Sequence, residues 1–262
     1  MAVVKKTSAG ARRRLGDERG MALLVALMAI LLVMALGTAL ALGASVESTI
    51  TRNFLNSSGA LYAADAGLER AVGDLKAITD WNAVLSGAAS SAFADGAPAG
   101  PRALSDGRLI NLAEIVSLAN CRQLNPCTSA AMDASTADRP WGLNNPRWQL
   151  FAWGHLSGLL PPDDVEPPFY VVVMVGDDPS ENDGDPFVDG AAPCPPAETG
   201  ACNPGTDRLA VRAEAFGPFG AHAILELTVG RRGAGERSLD YPDYNIGGDQ
   251  AAVRILSWRE LR

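Results

Sequence analysis

Histidine is nearly missing from this chain: only His155 and His222 occur among 262 residues. The sequence also has no Gly-x-Ser-x-Gly elbow, no phosphate-cradling glycine loop and no His-Glu-x-x-His helix, so the common hydrolase, nucleotide and metalloprotease patterns are excluded. Ser157 follows His155 by two positions within a proline-bounded stretch, which is the composition of a polar surface loop rather than of a nucleophile and its base. Asp65 and Glu69 stand at i, i+4 beside Arg70 and read as a solvated or inter-subunit helix face, not as an acid/base pair. The reading is therefore non-enzymatic. A more local absence says most: Met21 to Ala44 contains no charged residue at all.

Those twenty-four residues correspond to about 36 Å of helix, enough to cross a hydrocarbon core of about 30 Å with some tilt. A secretory signal peptide is shorter in its apolar part, about 7 to 15 residues. A retained anchor is expected instead. Before it lie Lys5, Lys6, Arg12, Arg13, Arg14 and Arg19 against Asp17 and Glu18, a net +4 that the positive-inside tendency keeps in the cytoplasm. The rest is then exported. Removing the six basic and two acidic residues up to Gly20 from totals of 22 and 30 leaves 16 against 28, or −12. Such acidity argues against nucleic acid as a partner.

The junction Arg19-Gly20-Met21-Ala22-Leu23-Leu24-Val25-Ala26-Leu27 resembles the class III signal of type IV pilins and pseudopilins. Asn53 to Val72, reading NFLNSSGALYAADAGLERAV, the paired strand-like segments ending near Arg232, and Val253 to Glu260 extend the resemblance, which is strongest to minor pilins of the PilX type. It covers the first 75 residues and about the last 55. The resemblance implies cleavage after Gly20 by prepilin peptidase, N-methylation of Met21, and partners among other minor pilins, the major pilin and the inner-membrane assembly platform. It implies a single-pass inner-membrane protein with an extracytoplasmic C-terminus that later enters a pilus at the cell surface, where some relatives influence adhesion. Major pilins resemble one another in carrying Glu at the fifth mature position, and here that position is Val25. An ion pair in an apolar filament core is thereby lost, which suggests an initiating or capping place. Two alternatives stand beside this reading: a K-like minor pseudopilin of type II secretion, and a signal-anchored extracytoplasmic adhesin or binding protein.

Past the membrane, Val46, Ile50, Phe54, Leu55, Leu61, Tyr62, Leu68, Val72 and Leu75 recur at spacings that predict an amphipathic continuation over 45–85, ending between Leu75 and Ser86. Gly37 and Gly43 interrupt the membrane part, as points of local melting or of close helix approach. Residues 86–168 read as a variable linker and loop region: Ser86 to Pro101 is rich in Gly, Ala, Ser and Pro, Leu109 to Leu118 fits a strand or a helix, and Asn120 to Pro168 is irregular. Residues 169–262 read as a β-rich head. Phe169 to Val175 is a β-branched run, while Leu209 to Phe216 and Ala221 to Val229 alternate around the turn signal Gly217-Pro218-Phe219-Gly220 and predict a hairpin. The terminal RILSWREL suits an edge strand. The expected class is α+β and pilin-like, a long helix against a small antiparallel sheet with one face packed and one wet.

Cys121, Cys127, Cys194 and Cys202 fall in the exported part, where disulfides form. Of three possible connectivities the local pairs Cys121–Cys127 and Cys194–Cys202 close the smallest loops and are expected. Their spacings are wide for a zinc pair. The acidic stretch Asp177 to Gly190 has two readings: solvated turns, or a calcium site using Asp183, Asp185 and Asp189 with Asp177 or Asp178. It lacks the EF-hand ladder.

Overall fold

The computed structural model describes residues 18–161, 166–181, 184–190, 207–231 and 253–261. Two compact units divide the chain after Arg52. Helix α1, Glu18–Ala77, is a single 60-residue element. In the first unit every position from Gly20 to Arg52 is exposed, as an apolar surface must be when no protein packs on it.

The second unit begins at Asn53 and is α+β. After α1 come a short helix α2, Asn82–Leu85, a two-stranded ribbon of β1, Pro101–Ala103, and β2, Leu109–Asn111, then α3, Leu112–Cys121, and α4, Ser129–Asp133. Leu109 to Leu118, open between strand and helix from its pattern, is both in turn: β2 gives way to α3 at Asn111, whose side chain caps the helix by accepting from the Ala113 amide. Five strands follow: β3, Gln149–His155; β4, Tyr170–Asp177; β5, Arg208–Phe216; β6, His222–Arg231; and β7, Val253–Leu261. They form one antiparallel sheet in the order β3-β4-β5-β6-β7, so each strand pairs with its sequence neighbour.

The expected β5–β6 hairpin is present, closed by a Gly217 N to Ala221 O bond of 2.8 Å, and β7 takes the edge position. Strand β3 lies inside the stretch that reads as irregular. Four of its seven residues are buried in succession, so its sequence lacks the alternation that marks a half-wet strand.

One sheet face carries Val171, Val173, Val175, Leu209, Val211, Ala213, Leu225 and Val229 and shares a core with Ala60, Ala63, Ala64, Leu68, Ala71 and Leu75 of α1. The buried stripe of α1 is thus mostly alanine. Val46, Ile50, Phe54, Leu55 and Tyr62, which belong to the amphipathic pattern, are exposed. Closeness of approach explains the choice: a Cβ on Gly67 would fall 2.5 Å from the Val171 Cγ1, and one on Gly59 would fall 2.5 Å from the Phe169 Cζ.

The opposite face is only partly wet. Over β3 and β4 it is covered by Leu104, Leu112, Ile115 and Ala119, which close on Trp148, Trp153, Tyr170, Val172 and Met174. All eight residues of β4 are therefore buried. A two-way clip fixes the cover, with the Asn120 amide donating to the Trp148 carbonyl at 3.0 Å and its oxygen accepting from the Trp148 N–H at 2.8 Å.

Candidate functional site

Gly20, Met21 and Val25, singled out in the sequence, share one bare stretch of helix. Gly20 lies in the first turns of α1 with nothing near its Cα that a Cβ would meet, Met21 is 69% exposed and Val25 is 64% exposed. From Gly20 onward α1 is long and apolar enough to cross a membrane, and it is the one such helix among the described residues. Gly37 and Gly43 are equally open, with no atom within 4 Å of the place a Cβ would take.

Cys121 and Cys127 are joined in a disulfide, the expected local pair, and so hold no zinc. It staples the end of α3 to the loop that follows. Cys194 and Cys202 lie outside the described residues. Of the calcium candidates, Asp183 also lies outside them. Asp185 accepts from the Phe187 amide at 3.2 Å and Asp189 from the Arg208 amide at 3.4 Å, each closing a loop with its own carboxylate. Asp178 likewise accepts from the Ser180 amide at 3.0 Å and hydroxyl at 2.7 Å. Among the described residues no group of three acidic, histidine or cysteine side chains is placed to hold a metal. Burial pushes the Asp189 carboxyl up to about 6 despite the amides of Arg208 and Asp207.

Ser157 and His155 do not pair. The serine hydroxyl reaches Glu166 at 3.2 Å, and the imidazole meets the Tyr170 ring edge-on at 5.0 Å. Asp65 and Glu69 are exposed, while Arg70 bonds Asp74 at 2.9 Å instead.

What the sequence did not announce is a charged ladder on the outer face of β5, β6 and β7. Glu214 bonds His222 at 3.1 Å and Arg212 at 2.8 Å; Arg212 bonds Glu226 at 2.8 Å; Glu226 receives Arg259 at 2.9 Å. Burial pushes the Glu214 carboxyl up, yet His222 and Arg212 together hold it below the usual value. The signal was present as charges at alternate positions, with Arg212 directly opposite Glu226 and His222 diagonal to Glu214, but only the strand register brings them side by side.

Beside the ladder a cavity of about 700 Å³ opens between β5–β7 and the segment that follows α3. Arg139 lines it. Its guanidinium donates to the carbonyls of Ala119 at 3.1 Å and Pro146 at 2.8 Å, while its Nε has no acceptor. Burial, reinforced by Arg147 and Arg212, pushes the Arg139 pKa down to about 10.

Comparison with known proteins adds no relative: no family model, no curated protein and no solved structure matches this chain.

Proposed function

We propose that this chain is a minor pilin of the PilX type, a structural subunit of a type IV pilus that initiates or caps assembly. One observation carries the reading: a bare apolar helix begins at the Gly20-Met21 junction and continues without a break into the helix on which the sheet packs. An apolar surface of that extent needs either lipid or neighbouring helices, and a subunit moving from bilayer to filament uses both in turn. Prepilin peptidase would cut after Gly20, and Met21 would become the methylated N-terminus. The partners are then the major pilin, other minor pilins and the assembly platform, and the location is the inner membrane followed by the pilus. Val25 supports a place at the filament end, since an ordinary shaft position would use an acid there. The longest helix of the head among the described residues, α3, has 10 residues, which speaks against the large helical insertion of K-type pseudopilins.

Mass spectrometry of the mature N-terminus tests the proposal. An N-methylated Met21 is expected, whereas an uncut chain, or cleavage near Ala39-Leu40-Ala41 or Gly43, overturns it.

A further inference from the structure

The cavity beside the charged ladder is unusual for so acidic a chain. Five arginines line it: Arg122, Arg139, Arg208, Arg212 and Arg259. Three carboxylates accompany them, Asp138, Asp178 and Glu226, so five cations against three anions leave the lining at +2. All three carboxylates are already engaged: Asp138 with Arg122, Asp178 with Ser180, and Glu226 with Arg212 and Arg259.

The surplus therefore resides on two residues. Arg139 is 8% exposed and meets only carbonyl oxygens, with its Nε left over. Arg208 is exposed at the start of β5, and its guanidinium has no ion-pair partner among the described residues. A buried cation without an ion-pair partner, as Arg139 is, is costly unless something anionic comes to it, while the exposed Arg208 adds a second positive charge at the rim. Between the cations the walls are apolar, with Leu118, Trp141, Ile224 and Leu256. A volume of about 700 Å³ is within the usual range of ligand sites.

We propose that this groove binds an acidic peptide segment of a partner protein, whose carboxylates pair with Arg139 and Arg208 while intervening apolar side chains rest on Leu118, Trp141, Ile224 and Leu256. A peptide fits better than an inorganic anion or an acidic sugar because it supplies charge and apolar surface together. Strand β7 forms one wall through Leu256 and Arg259, so apolar surface and charge stand together there. The site is independent of the filament reading, since it requires only that the head be folded.

Calorimetry on the full chain in detergent micelles, at low and moderate salt, tests it with the probe acetyl-GELELG-amide, its glutamine counterpart, trigalacturonate and inorganic phosphate. The acidic peptide binds, the glutamine peptide binds at least about tenfold more weakly, and affinity falls with salt. R208Q weakens the acidic peptide by about tenfold, and L256E, which sets a carboxylate in the wall, abolishes binding. Both changes lie at exposed positions, and an unchanged melting midpoint shows that the fold is kept. Equal affinity for the two peptides, equal affinity for trigalacturonate or phosphate, or wild-type binding by folded R208Q overturns the proposal.

Discussion

Between Met21 and Leu55, helix α1 carries leucine, methionine, valine and isoleucine on every side and buries none of them, whereas between Ala60 and Leu75 it buries a stripe made largely of alanine. Secondary structure is the same in both stretches, so the difference lies in what surrounds them. A fluid hydrocarbon accommodates any side-chain shape, and the free energy simply grows with apolar area. A β-sheet is a rigid surface with its own side chains, and the helix meets it with alanine and glycine at the closest approach and with Leu68, Val72 and Leu75 beside them. The larger apolar residues thus lie where nothing in the described structure packs on the helix, and the alanines where the sheet is close-packed.

The largest expected effect separates the two stretches directly. Leu68 is 1% exposed among the core residues of the sheet, and Leu68→Ala removes about 2 to 5 kcal/mol from the stability of the head. Leu32, 63% exposed, leaves no cavity when shortened. Thermal melting of the full chain in detergent, followed by near-ultraviolet circular dichroism, is expected to show a lower midpoint for Leu68→Ala and an unchanged one for Leu32→Ala. Equal shifts would mean that both stretches pack on protein.

A smaller effect sharpens the same contrast, because two glycines in one helix should respond with opposite sign. Alanine favours a helix interior over glycine by about 1 kcal/mol. At Gly37 nothing opposes this gain. At Gly67 the new Cβ would lie 2.5 Å from the Val171 Cγ1 and 3.2 Å from the Val173 Cγ2, so strand β4 must shift, and overpacking of this kind costs about 1 to 3 kcal/mol. Gly67→Ala is expected to lower the melting midpoint of the head, and Gly37→Ala to leave it unchanged while raising helix content in detergent. A stabilised Gly67→Ala variant would show that α1 does not sit closely on the sheet.

These two positions also show how far the sequence could be read. The apolar run to Ala44, the β-branched run of β4 and the turn at Gly217 to Gly220 announce themselves because each depends on neighbours in sequence. The face of α1 that is buried does so only in part, through Leu68, Val72 and Leu75. Phe54, Leu55 and Tyr62 outweigh Ala63, Ala64 and Ala71 in any hydrophobic pattern, yet the alanines are inside. Their burial follows from the nearness of Val171 and Val173, which lie far along the chain. Strand β3 is hidden for a related reason: covered on both faces by α1 and α3 neighbours, it has no polar alternation to betray it. The long apolar helix from Gly20 was legible locally, while the arginine-lined groove arises only from the register of β5, β6 and β7 and from the loop folded over them.

The smallest expected effect concerns Asp189, the acidic-loop carboxylate that the head partly buries. Its carboxyl, pushed up to about 6 by burial, holds its proton more tightly in the folded state than in the unfolded one, where about 3.9 is usual. The sign follows: the folded state is favoured most at pH values below about 4, loses that advantage as pH rises toward about 6, and changes little above. Asp189→Asn is neutral at every pH and keeps an oxygen for the Arg208 amide. It is expected to melt higher than the parent chain at pH 8 and level with it below pH 4, by under about 1 kcal/mol because water screens a partly exposed site. Glu47→Gln, an exposed position on the bare part of α1, supplies the contrast, with no shift of the head at either pH. Calcium gives Asp189 a second test. If the carboxylate were a ligand, millimolar calcium would raise the parent midpoint at pH 8 and leave Asp189→Asn behind; if it only closes the loop, as its bond to the Arg208 amide indicates, calcium and a chelator give the same midpoint and the asparagine variant stays the more stable of the two.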